Sequence, residues 1–282
     1  MLTGMRSREE AAIIVRQLYG DLNQMSFSQL VYAYQQTDER YCNSCHKTGR
    51  TFKKIEDGSI LFGSCICKQV IDQKKKHEIS MQQTGIPRKY HDADVNKWVN
   101  CGANFAEQGQ NETNMMLVRT YLKKLDEVKQ RGVGLFICGP NGVGKTYIAC
   151  AIGIRAIRRL HTVRYCVAPD VVKIHADGWK DDNVRNSDDE LNMCDFLIVD
   201  DIGKVYASKS GFETYVIERM IRNRVQAGRP CIITANMNYA ALREHYGDSF
   251  KSIMDEACVK VVLVGEDYRK KVADENRKFL QN

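Results

Sequence analysis

A glycine-rich stretch near the middle of the chain has the residue types and spacing that hold the phosphates of a nucleotide. Glycines let backbone N–H groups turn toward phosphate oxygens, and a following helix adds its positive N-terminal end. The closing lysine is suited to contact the β- and γ-phosphates of ATP, or the β-phosphate of ADP, and the threonine hydroxyl is suited to bind a Mg²⁺ ion. The stretch matches G-x4-G-K-[ST] without a gap, and its residues are Gly139, Pro140, Asn141, Gly142, Val143, Gly144, Lys145 and Thr146.

Two carboxylates follow an apolar run further along the chain. Asp200 and Asp201 end the sequence FLIVDD, which is typical of a buried strand. One carboxylate at a strand end can hold Mg²⁺ through its water shell, and another can polarise the water that attacks the γ-phosphate. We predict the first role for Asp200 and the second for Asp201. The alternative for either residue is a helix cap or a solvent-facing acid.

A later apolar run also ends in polar side chains. Thr234 and Asn236 lie in the sequence CIITAN. If this strand lies beside the strand that leads into the glycine-rich loop, its tip can contact the γ-phosphate or orient the attacking water. Asn236 fits that role better than Thr234, although a turn residue at a strand end would look the same.

Four of the eleven cysteines form two close pairs in the N-terminal part of the chain. A C-x2-C pair and a C-x-C pair, brought together by a glycine-containing hairpin, can supply the four tetrahedral ligands of Zn²⁺. A redox or incidental cluster is the alternative, and His46 is an alternative ligand. The other seven cysteines are scattered, several inside apolar runs, and are predicted to be buried reduced thiols. The predicted zinc ligands are Cys42, Cys45, Cys65 and Cys67.

The elements that must position these residues alternate between strand and helix from about residue 86 onward. Five apolar runs read as strands, and amphipathic helical stretches lie between them. This alternation predicts an α/β domain with a five-stranded parallel sheet covered on both faces. The five runs are GLFICG, VRYCVAP, CDFLIVDD, RPCIITAN and VKVVLVG.

The chain divides into four predicted parts. Residues 1–40 read as helical, with a capping box at Ser26, and are predicted to bind a partner; a small packing unit is the alternative. Residues 41–70 form the zinc-binding module. Residues 71–85 are a polar, lysine-rich linker, and residues 86–282 form the nucleotide-binding domain.

Composition and charge limit the possible classes of protein. The chain has 282 residues, an apolar share of 43% and a net charge of +7. The moderate basic excess permits a polyanionic partner without requiring one. No apolar run approaches the length of a membrane span, and the N-terminus is a poor signal peptide, so we expect a cytoplasmic location.

The order of these motifs resembles a known family. The phosphate loop, LIVDD, IITAN and a terminal GEDYR together resemble the AAA+ ATPases of the bacterial helicase-loader type, the DnaC/DnaI family, and their transposition relatives of the IstB type. The sequence GIPRKYHDADVNKW resembles the family's entry segment. The cysteine region resembles the zinc region of some loaders, many of them associated with phages or prophages. The resemblance implies a three-layer α/β/α domain preceded by small helical and zinc-binding parts.

The resemblance also implies roles for individual residues. Asp200 and Asp201 occupy the positions of the Walker B pair, and Asn236 occupies the position of sensor 1. Arg269, in GEDYR, resembles the sensor 2 arginine near the γ-phosphate. Arg224 lies where relatives also carry an arginine.

One position departs from the family pattern. Many relatives carry an arginine finger that acts on the ATP of a neighbouring subunit, and this chain has Ile253 there. Lys251 is close in sequence, but an ammonium cannot make the planar fork contact of a guanidinium. An arginine finger contributes about 10³–10⁵ in rate, so we expect slow hydrolysis; the alternative is that a different residue takes its place.

The resemblance implies an ATP-dependent replication protein that loads a hexameric helicase onto single-stranded DNA and self-associates through its ATPase domain. The alternatives are an ATPase that assists a transposase or recombinase, and a nucleotide-gated adaptor with little turnover. The loop after Walker B is used toward single strands in relatives. Its candidate DNA contacts are Lys204, Tyr206 and Lys209, with Ser208 beside them, and an exposed loop with ordinary lysines is the alternative.

Overall fold

The computed structural model describes residues 50–54, 60–64, 68, 79, 81–177, 182–203 and 211–281. Three groups of predictions concern residues outside this set. They are the helical segment 1–40, the zinc ligands Cys42, Cys45, Cys65 and Cys67, and the DNA contacts Lys204, Tyr206, Ser208 and Lys209.

An antiparallel hairpin is described between the two cysteine pairs. Strands β1 (Arg50–Lys54) and β2 (Ile60–Ser64) pair with Phe52 opposite Phe62 and Arg50 opposite Ser64. The strand-like pieces predicted around the glycine turns are therefore present.

Residues 81–157 and 161–282 form a compact unit around a five-stranded sheet. All neighbouring strands are parallel, as the alternation of strands and helices predicts. The strands are β3 (Gly134–Cys138), β4 (Val163–Val167), β5 (Phe196–Ile202), β6 (Cys231–Ala235) and β7 (Cys258–Val262). Their order in the sheet is β4-β5-β6-β3-β7, so β6 lies between β3 and β5 although it follows both in the sequence.

Helices cover both faces of this sheet and enclose two apolar cores. The helices are α1 (Phe105–Lys123), α2 (Leu125–Arg131), α3 (Lys145–Arg158), α4 (Ala168–Asp177), α5 (Asp182–Met193), α6 (Phe212–Gln226), α7 (Tyr239–Ala257) and α8 (Tyr268–Gln281). One core lies on the face packed by α1, α3 and the segment 81–98, and the other on the face packed by α4, α6 and α7. None of the described helices is long and apolar enough to cross a membrane.

Two asparagines of α1 satisfy backbone groups in and just beyond the edge strand β7. The side-chain oxygen of Asn114 accepts the N–H of Val262 at 3.0 Å, and that of buried Asn111 accepts the N–H of Val264 at 2.9 Å. The amide of Asn111 also donates to the carbonyl of Val264 at 2.8 Å. Unpaired groups on an edge strand invite pairing with another chain, and these contacts satisfy the N–H of Val262 and both backbone groups of Val264 while fixing α1.

A buried arginine holds the chain reversal that leads into β5. Arg224 of α6 is 0% exposed, and its guanidinium donates to backbone carbonyls rather than to a carboxylate. It thereby satisfies the last carbonyls of α5, which the helix leaves without partners. The acceptors are the carbonyls of Leu191 at 2.7 Å, Asn192 at 3.0 Å, Cys194 at 3.0 Å, Asp195 at 3.3 Å and Pro230 at 3.1 Å.

Candidate functional site

The glycine-rich loop joins β3 to α3, as expected for a phosphate-binding loop. Gly142 and Gly144 have φ angles of 78° and 93°, which side chains rarely adopt. Neither position has room for a Cβ, because one at Gly142 would overlap the side chain of Asp267 and one at Gly144 would lie 2.5 Å from the indole nitrogen of Trp98. The two glycines therefore allow both the loop's path and the close approach of its neighbours.

Lys145 lies beneath this loop and is only 5% exposed. Its ammonium donates to the carbonyls of Gly139 at 2.9 Å and Pro140 at 2.6 Å. These contacts hold the charge at the start of α3, beside the loop amides. A phosphate bound there would meet both a buried cation and the positive end of the helix.

Asp200 accepts hydrogen bonds from three hydroxyl groups on three different elements. Thr146 donates to its two oxygens at 2.9 and 3.1 Å, Thr234 donates to Oδ1 at 2.6 Å, and Tyr165 donates to Oδ2 at 2.8 Å. The carboxylate is 4% exposed. Its orientation is therefore fixed before any metal binds, as a carboxylate that must meet a hydrated Mg²⁺ requires.

Asp201 is held by the tip of the neighbouring strand β6. Its N–H donates to the hydroxyl of Thr234 at 2.9 Å, and the side-chain amide of Asn236 donates to its Oδ1 at 2.9 Å. Its φ of 58° lies in the left-handed region, next to an irregularity in the pairing of β5 with β6. This backbone bend separates the directions of the two carboxylates, and such strained positions concentrate at functional sites.

A cavity of about 550 Å³ lies over the glycine-rich loop, a size suited to a small-molecule ligand. The residues predicted from four separate motifs meet there, because the loop, Asp201, Asn236 and Arg269 all contribute to its wall. The remaining wall comes from the segment before α1 and from the start of α8, and includes Lys89, Tyr90, Lys97, Trp98, Val99, Cys101, Tyr268 and Val272.

The start of α8 is fixed to the loop through backbone contacts. The N–H of Tyr268 donates to the carbonyl of Gly142 at 3.2 Å, and the N–H of Arg269 donates to the Asp267 carboxylate at 3.0 Å. Glu266 donates its N–H to the carbonyl of Cys101 at 2.8 Å. Arg269 is thereby placed at the cavity wall, while its own side chain remains exposed.

Sequence reasoning missed two residues that shape this site. Trp98 donates its indole N–H to the carbonyl of Val143 at 3.0 Å and packs on the loop. Tyr165 lies in the middle of β4 with its hydroxyl on Asp200, and burial together with that carboxylate raises the pKa of Tyr165, so it remains a protonated donor. A tyrosine on the strand beside FLIVDD could have indicated this contact with Asp200. Recognising it requires the order of the strands in the sheet, which the sequence does not give.

Three residues singled out in the sequence lie apart from the cavity wall. Ile253 is half-buried and packs against the core on the α7 face, and Lys251 forms an ion pair with Asp255. Arg224 is the buried carbonyl-binding residue described above, and it does not line the cavity.

A magnesium ion would be held jointly by protein and nucleotide. Within the part of the chain that the structure describes, no three His, Cys, Asp or Glu side chains are grouped as a metal site. Thr146 and Asp200 supply an adjacent hydroxyl and carboxylate, a hard oxygen pair that suits Mg²⁺ together with phosphate oxygens and water. When bound, the ion would neutralise charge on the β- and γ-phosphates.

The chain matches one protein family over most of the compact unit. The profile of the family described as IstB-like ATP binding protein matches residues 103–276. A Pseudomonas aeruginosa ATP-binding protein of insertion sequence IS21 is 27% identical over 147 residues, which cover 50% of this chain and 54% of that protein. The replicative helicase loader DnaI of Bacillus subtilis is 23% identical over 201 residues, covering 70% and 61%. The chain thus spans about half to three fifths of the length of these relatives.

Solved structures show the same fold at low sequence identity. The crystal structure of the DnaC helicase loader superimposes with a TM-score of 0.54 at 18% identity, over 63% of this chain and 99% of that chain. AMPPCP-bound DnaA from Aquifex aeolicus gives a TM-score of 0.51 at 18% identity, over 70% and 57%. At these identities the likeness shows the fold alone, the parallel sheet with its covering helices.

Proposed function

Because the chain belongs to the family of IstB-like ATP-binding proteins, we propose that it is an AAA+ ATPase that uses ATP binding and hydrolysis as a switch. The observation that carries this proposal is the contact of Thr146, at the start of α3, with Asp200 near the carboxyl end of β5, next to Asp201. Lys145 and the loop amides bind the phosphates, and Thr146 and Asp200 hold Mg²⁺. Asp201, oriented by Asn236, polarises the attacking water.

The use we propose for this switch is loading of a replicative helicase onto single-stranded DNA. The match to the DnaI loader covers 201 residues, which is longer than the stretch 103–282. It therefore includes residues before residue 103, where the match to the family profile begins. In this scheme the N-terminal parts bind the helicase, and the ATPase domain binds ATP, single-stranded DNA and further copies of the chain.

Two other uses remain as defined alternatives. The matches to the family profile and to the IS21 protein favour an ATPase that assists a transposase or recombinase. The packing of Ile253 against the core, at the place of the arginine finger, favours a nucleotide-gated adaptor with little turnover. Each alternative keeps the same nucleotide site and differs in the partner or in the rate of hydrolysis.

A capture experiment with the full chain separates the loader from the transposition helper. We expect the purified chain to retain the hexameric replicative helicase of the same cell with Mg–ATP and to release it with ADP. Phosphate release should rise when single-stranded DNA and helicase are added. Failure to retain the helicase with either nucleotide would contradict the loader, and retention of a transposase instead would support the second use. Binding of ATP without measurable phosphate release would support the adaptor.

We propose that the module of residues 41–70, whose cysteine pairs lie on either side of the hairpin strands in the sequence, binds one zinc ion. The register of β1 and β2 supports it, since Arg50 lies opposite Ser64, and the cysteine pairs lie just before and just after these strands in the sequence. We predict about one zinc per chain by elemental analysis, as four thiolates in one tetrahedral site require. Replacing Cys45 and Cys65 with serine should remove it, while Cys101→Ser, outside the module, should not. Full zinc content in the double variant would contradict the site.

A further inference from the structure

Tyr165 contacts two parts of the compact unit that lie far apart in the sequence, Asp200 and Thr84. Its hydroxyl donates to Oδ2 of Asp200 at 2.8 Å, at the proposed magnesium site. Its backbone N–H donates to the carbonyl of Thr84 at 2.6 Å, and its carbonyl lies against Gly85, where an added Cβ would be 2.6 Å away. One residue therefore contacts the metal-binding carboxylate with its side chain and the segment before the ATPase core with its backbone.

The segment at Thr84 is itself tightly ordered. Thr84 is 1% exposed, its hydroxyl donates to the carbonyl of Met81 at 2.7 Å, and the same oxygen accepts the N–H of Ile86 at 3.1 Å. Gly85 has a φ of 76°, which bends the chain toward Tyr165. Because residues 84–86 lie where the predicted linker enters the ATPase domain, a displacement of Tyr165 acts directly on that entry point.

We propose that Tyr165 is a positioning residue that aligns Asp200 for Mg²⁺ and couples occupation of the metal site to residues 84–86. Thr146 at the start of α3 and Thr234 of β6 both donate to Oδ1, and Thr146 also lies 3.1 Å from Oδ2. Tyr165 acts on Oδ2 from β4, on the opposite side of β5 in the sheet. Without its hydroxyl, Oδ2 keeps only the longer contact with Thr146 at 3.1 Å, so the orientation of the carboxylate is less firmly fixed.

The coupling follows from the rigidity of the contacts on both sides of Tyr165. If Mg²⁺ bound beside Asp200 restrains the carboxylate, the Tyr165 hydroxyl on Oδ2 would be restrained with it. The backbone N–H of the same residue would then hold its hydrogen bond to the Thr84 carbonyl more firmly. This restraint can be measured as slower hydrogen exchange, because an amide whose hydrogen bond opens less often exchanges its hydrogen more slowly. The inference rests on the proposed function, because it requires Mg–nucleotide at this site.

Hydrogen exchange on the full wild-type chain tests the coupling without any substitution. We expect Mg–ATP to slow exchange at the Tyr165 amide and at residues 84–86 by about tenfold relative to ATP with EDTA, the effect of about one hydrogen bond. The loop peptide 139–146 should be protected in both conditions. If that peptide gains no protection from any nucleotide, the proposed function itself fails. If it is protected while residues 84–86 and Tyr165 do not respond to Mg²⁺, the coupling alone is wrong.

Tyr165→Phe separates alignment of the metal site from a general effect on folding. In this variant we expect the Mg²⁺ concentration for half-maximal phosphate release to rise about tenfold, because a hydrogen bond to a charged group is lost. ATP binding in EDTA should be unchanged, and the Mg²⁺-dependent protection at residues 84–86 should disappear. Tyr121→Phe is the matched control, since its buried hydroxyl donates to the carbonyl of Val133 at 2.8 Å away from the site. An unchanged Mg²⁺ requirement in Tyr165→Phe, or an equal change in Tyr121→Phe, would overturn the proposal.

Discussion

Lys145→Ala should abolish measurable binding of Mg–ATP at concentrations that saturate the wild-type chain. Lys145 is 5% exposed and lies at the start of α3 beneath the phosphate loop, so its charge acts at short range with little screening. Removing one partner of a buried charge pair costs about 2–5 kcal/mol, and we expect the Kd for Mg–ATP to rise at least about 30-fold. Calorimetric titration of the zinc-replete chain measures this change directly.

A matched lysine substitution shows whether the loss is local. Lys123 is exposed in the last turn of α1 and does not line the cavity, so Lys123→Ala should leave the Kd unchanged. Phosphate release by Lys145→Ala should fall to background together with binding. If the Kd of Lys145→Ala for ATP lay within a factor of about two of the wild-type Kd, a difference under about 0.5 kcal/mol, the loop would not be the phosphate-binding site.

Arg224→Met should be the most destabilising single substitution proposed for the ATPase domain. Methionine fills a similar length of apolar space but provides no donor for the five carbonyls that the guanidinium now binds. Breaking such a buried charged network costs about 3–5 kcal/mol. Since a domain is stable by only about 5–15 kcal/mol, a large fall in the denaturant midpoint is expected.

A surface arginine on the same helix provides the comparison. Arg219 of α6 is exposed, and Arg219→Met should change the unfolding free energy by less than about 0.5 kcal/mol. Urea unfolding of both variants, followed by circular dichroism, measures the difference. An Arg224→Met midpoint equal to that of Arg219→Met would show that the carbonyl network contributes little to stability.

The sequence by itself determined the local features of this protein. The glycine-rich loop is recognisable because each glycine, the lysine and the threonine act within eight consecutive residues. The alternation of apolar strands with amphipathic helices predicted the parallel sheet, since burial on both faces leaves a continuous apolar run. Asp200, Asp201 and Asn236 were identifiable as polar ends of such runs.

Only the tertiary structure decided which strand ends meet. The insertion of β6 between β3 and β5 places Thr234 on Asp200 and Asn236 on Asp201, and the position of β4 beside β5 places Tyr165 there. The same holds for Arg224, whose acceptors come from α5, the turn after it and the start of β6. Sequence periodicity reports which face of an element is apolar. The choice of neighbours depends on how whole faces pack, and that information is shared between segments far apart in the chain.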